Sequence, residues 1–343
     1  MKLEERIVLF SELGNFILNH IASEEMEGLF AAAKSRNPWF TTDNIRLAFT
    51  QVAATFLNQE KLNALVAGYP QSFFDPMVSR KVGIVAAGNI PLVGLQDLIH
   101  VVLAGHTAYY KPSAQDEVLT LFLIRKMQEI NPAVSEYLVP ADKLTGLEAY
   151  IATGSGNTSR YFEYYFGKRP HIIRKNRVSV AVLHGGETRT RLSDLGNDIF
   201  EYFGLGCRNV SKLYVPEGYD FKGFFEAVEY WNGITLHSKY VNNYDYNKSI
   251  LLVNGDRHLD NGFLLLKESA ALHSPISTVF YEEYASADRV FIDLQAQKEN
   301  IQCIVTEMQE DGIPFGRSQS PELWDYADGV DTIAFLAGLN SEG

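Results

Sequence analysis

The sequence has 343 residues, of which 46% are hydrophobic, and this is enough apolar material for one large core or two ordinary ones. Its formal net charge of -12 disfavours nucleic acid as a partner, since that requires a basic face, and no apolar run is long enough for membrane insertion. Two cysteines are too few for a disulfide framework and the charged N-terminus lacks a signal-peptide core, so we expect a cytoplasmic protein.

The N-terminal part of the sequence has the pattern of a helical segment. Apolar residues such as Leu3, Ile7 and Phe10 recur at intervals of three and four through about the first seventy residues. From Lys81 the pattern changes, because the stretches "KVGIVAAGN" and "TAYYKP" are typical of short strands and "LVGLQDLIHVVLAG" between them has helical periodicity. These three stretches predict a βαβ unit.

The alternation of strands and helices then continues along the chain. Strands are predicted for "AYIATG", "HIIR" and "VSVAVL", and helices from Glu117 to Glu129, over "TSRYFEYYFG" and over "RLSDLGNDIFEYFG". The strand "SKLYVP" and the helix "FKGFFEAVEYW" restart the pattern after Cys207. The remaining predicted elements are strands near Ile250, Leu264 and Ser277, a helix near Asp288 and the strand "IQCIVTE".

Such an alternation predicts an α/β fold with two lobes, each built on a mostly parallel sheet flanked by helices, after an N-terminal helical segment. We place the boundary near residue 205, where glycines cluster. Residues 1–204 would then hold the N-terminal helices and a dinucleotide-binding domain. Residues 205–343 would form a catalytic domain that carries the cysteine.

Cys207 is the first candidate for chemistry, because it stands between Gly-Leu-Gly and an arginine in "FGLGCRN". A structural thiol is usually enclosed by apolar side chains, and glycine encloses nothing. The neighbouring Arg208 could help to lower the thiol pKa from its ordinary value of about 8.5, provided that its guanidinium does not point into solvent.

Two other segments place small or polar residues after predicted strands. In a parallel sheet the carboxyl ends of the strands border the ligand crevice, so Asn89 in "AAGNIPLVG" would face it. The glycines of "YIATGSGNTSRYF" would let a pyrophosphate approach a helix N-terminus. Each segment can equally be an ordinary turn, stabilised by Asn and Pro in the first and followed by a capped helix in the second.

Charge and aromatic clusters leave further alternatives open. The basic stretch "GKRPHIIRKNR" suits the phosphate of a nucleotide or of coenzyme A, or it is a solvated loop. The tyrosines and tryptophan of "EYWNGITLHSKYVNNYDY" could line an acyl channel or belong to the core. The histidines form neither an HExxH motif nor a Cys-His cluster, and we predict no metal.

The order of "GNIPL", "YKPS", "TGSGN" and Cys207 resembles the aldehyde dehydrogenase superfamily over about residues 80–340. Within it, "FGLGCRNVSKLYVP" and "SPELWDYADGVDTIAFL" are similar to the LuxC-type acyl-CoA reductases, which act in fatty acid metabolism. This resemblance implies that Cys207 is the acyl-accepting nucleophile and that Asn89, with the Cys207 backbone amide, forms the oxyanion hole. The residues that it implies for contact with NADPH or NADH are Lys111, Ser113, Gly154 and Ser155.

The implied reaction is reduction of an acyl thioester to an aldehyde through a covalent acyl-cysteine. The donor would be acyl-CoA or an acyl carrier protein thioester, and a homo-oligomer or an acyl-transferring partner enzyme would be in keeping with the family. The chain is shorter than most of the superfamily before residue 80, which affects the oligomerisation elements.

Ordinary aldehyde dehydrogenases carry a Glu-Leu-Gly-Gly-Lys stretch whose glutamate activates water, and this chain has "IIRKNR" there. Glu187 and Glu268 do not match that motif. Without a base, hydrolysis of the acyl-enzyme would be slow. The alternatives are a hydrolytic NAD(P)-dependent aldehyde dehydrogenase with an unrecognised base, and a non-catalytic nucleotide-binding protein of the same fold.

Overall fold

A computed structural model describes residues 1–154 and 156–339. Its contacts divide the chain into two units, Met1–Asn176 with the segment that begins at Pro321, and Arg177–Ser320. The predicted boundary between residues 204 and 205 falls inside the second unit. The reason is that the strand before this boundary, at 178–182, pairs with the strand after it, at 210–216.

The predicted N-terminal helical segment is present and belongs to the first unit. Side chains at the helix starts accept hydrogen bonds from backbone amides of the first turn, as Ser23 does from Met26 and Thr41 from Asn44. The four helices are α1 (Leu3–His20), α2 (Glu24–Arg36), α3 (Thr42–Thr55) and α4 (Gln59–Ala67).

A five-stranded parallel sheet forms the centre of the described part of the first unit, in the order β3-β2-β1-β4-β5. The chain runs outward from β1 to β3 and then returns to the other side of β1 with β4. The strands are β1 (Lys81–Val85), β2 (Thr107–Lys111), β3 (Leu138–Pro140), β4 (Ala149–Thr153) and β5 (His171–Arg174), and the helices are α5 (Leu95–Leu103), α6 (Glu117–Ile130) and α7 (Gly156–Phe166).

This strand order reverses direction between β1 and β4. In open α/β sheets, ligands bind outside the carboxyl ends of the strands at such a reversal. The topology therefore marks the ends of β1 and β4 as the place to look for a ligand site in the first unit.

The second unit contains a six-stranded sheet in the order β11-β6-β7-β10-β9-β8 within the described residues, with an antiparallel pair only at its β8 edge. Its strands are β6 (Val178–Val182), β7 (Val210–Pro216), β8 (Leu259–Asp260), β9 (Leu265–Glu268), β10 (Thr278–Tyr284) and β11 (Ile301–Thr306). Its helices are α8 (Arg189–Phe200), α9 (Lys222–Val228), α10 (Ser238–Asn254) and α11 (Ala287–Ala296).

The strand predicted near Ile250 is wrong, because this residue lies in α10. His237 caps the start of α10 by accepting the Tyr240 amide, and Gly255 ends it in a left-handed conformation with φ of 67°. These two capping residues outweigh the short apolar run "ILLV", which suggested a strand. Of the helices in residues 1–154 and 156–339, none combines the length and hydropathy that crossing a bilayer demands.

A C-terminal tail, residues 321–339, packs on the first unit and was not predicted. His100 on α5 donates from Nε2 to the Leu323 carbonyl over 3.1 Å, and His106 donates from Nε2 to the Leu336 carbonyl over 3.1 Å. The last helix, α12 (Thr332–Gly338), belongs to this tail. The tail therefore satisfies buried polar groups of the first unit.

Candidate functional site

Cys207 lies in the turn that precedes β7, at the amino end of that strand. The residue is partly exposed and its side chain is a thiol. The backbone carbonyl of Cys207 accepts a hydrogen bond from the Ser179 hydroxyl on β6 over 3.0 Å. Cys207 as a residue is therefore neither fully buried nor fully exposed.

The loop before Cys207 has an unusual backbone. Tyr202, Phe203 and Gly204 have φ angles of 53°, 60° and 75°, so three consecutive residues are left-handed. For a residue other than glycine this conformation costs roughly 1–3 kcal/mol and persists only where the surroundings enforce it. The sequence interpretation had continued a helix through "EYFG", but α8 ends at Phe200.

Arg208 is anchored within the second unit, since its Nε donates to the Ser318 carbonyl. The loop around Ser318 is itself held, because the buried Asp198 carboxylate accepts the amides of Gly316 over 2.6 Å and of Ser318 over 2.8 Å. Burial raises the pKa of Asp198. The Arg208 guanidinium is thus held by a loop that is itself fixed to Asp198.

The second cysteine, Cys303 on β11, shares a neighbour with Cys207. Its Sγ lies 3.0 Å from the Ser179 Oγ, the same hydroxyl that donates to the Cys207 carbonyl. The sequence offered no sign of this, because the two cysteines are far apart in the chain and only the pairing of β6 with β7 and β11 brings them near one serine.

In the first unit, the structure brings three of the predicted segments together at the carboxyl edge of the sheet. Asn89 follows β1, Lys111 ends β2 and Gly154 follows β4. β1 pairs with both neighbours, with Val85 opposite Lys111 on one side and opposite Ala152 on the other. These residues therefore flank the reversal point of the strand order.

Glycine is required beside Asn89 for a packing reason. A Cβ built on Gly88 would lie 2.3 Å from the Ser113 Oγ and 2.5 Å from its Cβ. Ser113 thus touches the backbone that follows β1. The loops after β1 and β2 meet with no space for a side chain at residue 88.

Gly154 has a similar role at the end of β4. Its amide donates to the Arg174 carbonyl over 3.2 Å, and a Cβ there would lie 2.8 Å from the Phe162 ring of α7. The close packing of α7 on the end of β4 thus leaves no space for a side chain at residue 154. The predicted contact Ser155 lies outside the described residues.

Asp116 is a neighbour of this edge that the sequence interpretation missed. Its Oδ2 accepts the Leu92 amide over 3.0 Å and the Thr120 hydroxyl over 3.1 Å. Leu92 itself is left-handed, with φ of 60°. Burial raises the pKa of Asp116 to about 8. A short acidic residue before a helix looks like an ordinary cap, so its burial could not be read from the sequence.

The basic segment is not one phosphate-binding cluster. Arg174 is 4% exposed and forms a buried ion pair with Asp97, and its Nη2 also donates to the Thr332 hydroxyl over 3.2 Å. Arg177 donates to the carbonyls of Lys298 and Ile301 in the second unit. The exposed cations that remain in the segment are Lys168, Arg169 and Lys175.

The aromatic segment does not line one channel. Tyr240 and Tyr244 are buried, and their hydroxyls donate to the Phe263 carbonyl and to Asp260. Tyr230 and Tyr246 are instead 85% and 65% exposed. Tyr240 and Tyr244 therefore belong to the core, which was the alternative to an acyl channel.

Glu187 lies at the opposite end of the sheet from Cys207. Its carboxylate accepts the amides of His184 and Gly185 in the turn beyond the carboxyl end of β6. Cys207 precedes the amino end of the parallel neighbour β7. Five residues of β6 span about 16 Å at 3.3 Å per residue, so the two groups lie at opposite ends of the strands.

In the part of the chain that the structure describes, no group of three or more His, Cys, Asp or Glu side chains could hold a metal ion. Within the second unit the candidate for chemistry is the partly exposed Cys207. Within the first unit it is the glycine-rich carboxyl edge of the sheet.

Neither a protein-family model nor a curated protein matches the sequence. Solved structures match the fold. The NAD+ complex of an aldehyde dehydrogenase from Bacillus cereus aligns with a TM-score of 0.63 at 14% identity, over 91% of this chain and 73% of that one. An NADP-dependent enzyme from E. coli aligns with a TM-score of 0.64 at 14% identity, over 94% of this chain and 76% of that one.

A third structure, an aldehyde dehydrogenase from Mycobacterium tuberculosis complexed with NAD+, aligns with a TM-score of 0.60 at 13% identity. The alignment covers 93% of this chain and 76% of the Mycobacterium tuberculosis chain. The predicted fold class is confirmed: the chain has the α/β fold of the aldehyde dehydrogenases.

Proposed function

From this aldehyde dehydrogenase-type fold, we propose that the protein reduces an acyl thioester, such as a fatty acyl-CoA, to an aldehyde with NADPH or NADH. The observation that carries the proposal is the position of Cys207. It is a partly exposed thiol in a turn that follows a strained, left-handed backbone segment and is held by hydrogen bonds. Strain of this kind clusters at active sites, where it serves to position a reacting group.

In the proposed first step, the Cys207 thiolate attacks the carbonyl carbon of the thioester. A new carbon–sulfur bond forms, the bond to the sulfur of coenzyme A breaks, and coenzyme A leaves as its thiolate. One thioester replaces another, so the step is nearly balanced in free energy and depends on positioning. Each donor to the oxyanion, with Asn89 proposed as one, is worth about 3 kcal/mol of barrier.

The first unit supplies the residues that would hold the dinucleotide. Lys111, Ser113 and Gly154 lie around the reversal point of the sheet, at the carboxyl ends of the strands, where open α/β sheets bind ligands. When bound, the reduced nicotinamide supplies the hydride that converts the acyl group to the aldehyde level. The thiol of Cys207 is regenerated when the aldehyde leaves.

The position of Glu187 and the sequence "IIRKNR" favour reduction of the acyl-cysteine over its hydrolysis. Glu187 is engaged in its own turn at the far end of β6, and "IIRKNR" stands where ordinary aldehyde dehydrogenases have their catalytic glutamate. An acyl-cysteine without a positioned base reacts slowly with water. The likeness of "FGLGCRNVSKLYVP" to the LuxC-type reductases supports the same outcome.

Intact-mass spectrometry after exposure to a panel of acyl-CoA thioesters, without NADPH, tests this proposal. We expect one acyl adduct on the wild type, none on Cys207→Ser, and an unchanged adduct on the control Cys303→Ser. An adduct that persists in Cys207→Ser, or no adduct with any thioester, would overturn the proposed nucleophile.

The second candidate is a hydrolytic aldehyde dehydrogenase, which is favoured by the structural similarity to the aldehyde dehydrogenases from Bacillus cereus and Mycobacterium tuberculosis. Incubation with an aldehyde and NAD+ separates the two. Carboxylate released without coenzyme A would support hydrolysis, whereas the reductase requires coenzyme A to take up the acyl group.

A further inference from the structure

We propose that Asn209 is the positioning residue for Cys207, and that its side chain imposes the left-handed backbone of residues 202–204, which precedes the cysteine turn. The inference deepens the proposed function, because it rests on Cys207 as the nucleophile. Asn209 is 4% exposed, lies two residues after the cysteine and ends the turn just before β7.

The amide nitrogen of Asn209 holds the start of the loop. Its Nδ2 donates to the carbonyls of Asp198, Ile199 and Glu201 over 3.1, 3.4 and 2.9 Å. These carbonyls belong to the last turn of α8 and the residue that follows it, where a helix leaves acceptors without partners of its own. One side chain thus ends the helix and fixes the direction in which the chain leaves it.

The amide oxygen of Asn209 holds the end of the same loop. Its Oδ1 accepts the Gly206 amide over 2.8 Å, and the Asn209 backbone amide donates to the Gly206 carbonyl over 3.0 Å. Cys207 and Arg208 lie inside this closed turn. The Asn209 side chain therefore ties both ends of the segment 201–206 to one point.

The left-handed residues 202–204 lie between these two tied ends. Their conformation is unfavourable by itself, so it persists only if the ends are fixed. Asparagine can do this because a single planar group carries two donors and an acceptor facing opposite ways. Aspartate has the same shape, but it would set a carboxylate oxygen against the three carbonyl oxygens.

A plain core role for Asn209 would predict loss of stability without a specific effect on the thiol. Asn247 is the matched control, since it is also a buried asparagine of the second unit and donates from Nδ2 to the Ile276 carbonyl over 2.9 Å. The test compares Asn209→Asp with Asn247→Asp. Asn209→Ser, which keeps a small polar group, is the further variant if Asn209→Asp does not fold.

Two rates are measured beside the melting temperature of each variant. One is single-turnover acylation by an acyl-CoA. The other is alkylation of Cys207 by iodoacetamide against pH, followed by peptide mass mapping so that Cys303 is counted separately. We expect the Asn209 variants to lose acylation at least about tenfold and to shift the alkylation pH profile, with Asn247→Asp unchanged in both.

Equal acylation and equal alkylation profiles in the Asn209 and Asn247 variants would overturn the inference, whatever the melting temperatures. If the wild type is not acylated at all, the proposed function fails. The alkylation profile then still decides whether Asn209 positions the thiol, because iodoacetamide needs neither coenzyme A nor a dinucleotide.

Discussion

The backbone amide of Leu92 donates to the Asp116 carboxylate over 3.0 Å, which joins the left-handed turn after β1 to the start of α6. This bond lies at the sheet edge where a dinucleotide is proposed to bind. The bond therefore links the conformation of the turn that contains Asn89 to the buried side chain of Asp116.

The raised pKa of Asp116 makes stability fall as pH rises. Burial raises the pKa of the Asp116 carboxyl from its ordinary value of 3.8 to about 8, so the folded state holds the extra proton between these values. We expect the wild type to lose about 3 kcal/mol relative to Asp116→Asn between about pH 5 and pH 8. Urea unfolding of both proteins across this range measures it. A difference that stays constant with pH would contradict the prediction.

His100 makes the stability of the fold decrease as pH falls, which is opposite to the effect of Asp116. Burial lowers its pKa to about 4, opposed by Asp97 and Asp331 and assisted by Arg174. The folded state therefore resists protonation, and stability is lost as pH falls from about 6.5 to about 4. His100→Gln can still donate to the Leu323 carbonyl but does not titrate in this range. Its free energy of unfolding should decline less than that of the wild type over this interval.

The buried ion pair of Arg174 and Asp97 predicts a large loss of stability in Asp97→Asn. Removing one partner leaves a buried charge uncompensated, which typically costs about 3–5 kcal/mol. Arg289 and Asp293 form the control pair, since their side chains are 73% and 49% exposed. Asp293→Asn should change the free energy of unfolding by less than about 1 kcal/mol. Denaturant titration of both variants compares the two pairs.

Gly88→Ala tests the sheet edge. The new Cβ would meet Ser113 at less than contact distance, so the loops after β1 and β2 must separate. We expect NADPH to bind at least about tenfold more weakly, as measured by calorimetry. Gly28→Ala is the control, because no atom lies within 4 Å of a Cβ there. Unchanged NADPH affinity in Gly88→Ala would remove this edge from the proposed cofactor site.

Asn89→Ala tests the proposed oxyanion donor. Loss of one such donor typically lowers a rate about 10²- to 10³-fold, so acylation of Cys207 should slow by that amount. Affinity for NADPH should stay within about twofold of the wild type, because an oxyanion donor acts on the acyl carbonyl. Stopped-flow acylation and calorimetry measure the two quantities. Equal acylation rates would exclude Asn89 from the step.

Much of the first unit could be predicted from local pattern. The strand "KVGIV", the helix after it and the glycine that follows β4 each carry a clear signal, and their order led to the fold class. Asn89 became a candidate because the carboxyl ends of parallel strands border the ligand crevice, whereas the resemblance to the aldehyde dehydrogenase superfamily implied Lys111 and Gly154.

The rest depends on contacts between residues far apart in the chain. Nothing next to Arg174 in sequence indicates that its charge is neutralised by Asp97, so the basic segment looked like a surface. The left-handed run at Tyr202 and Phe203 contradicts the helical pattern of "DIFEYFG", and the Asn209 side chain that bonds to the start of this loop comes from beyond it in the sequence. Such tertiary contacts override local conformational propensity where several hydrogen bonds fix the backbone.

The tail at residues 321–339 has a consequence for biosynthesis. The carbonyls of Leu323 and Leu336 accept hydrogen bonds from His100 and His106. Both leucines are synthesised only after all of residues 177–320. Until the inserted second unit has been translated, the Nε2 donors of these two imidazoles therefore lack their carbonyl acceptors in the tail. Folding intermediates that bind chaperones should accumulate during that interval and disappear once the tail has docked.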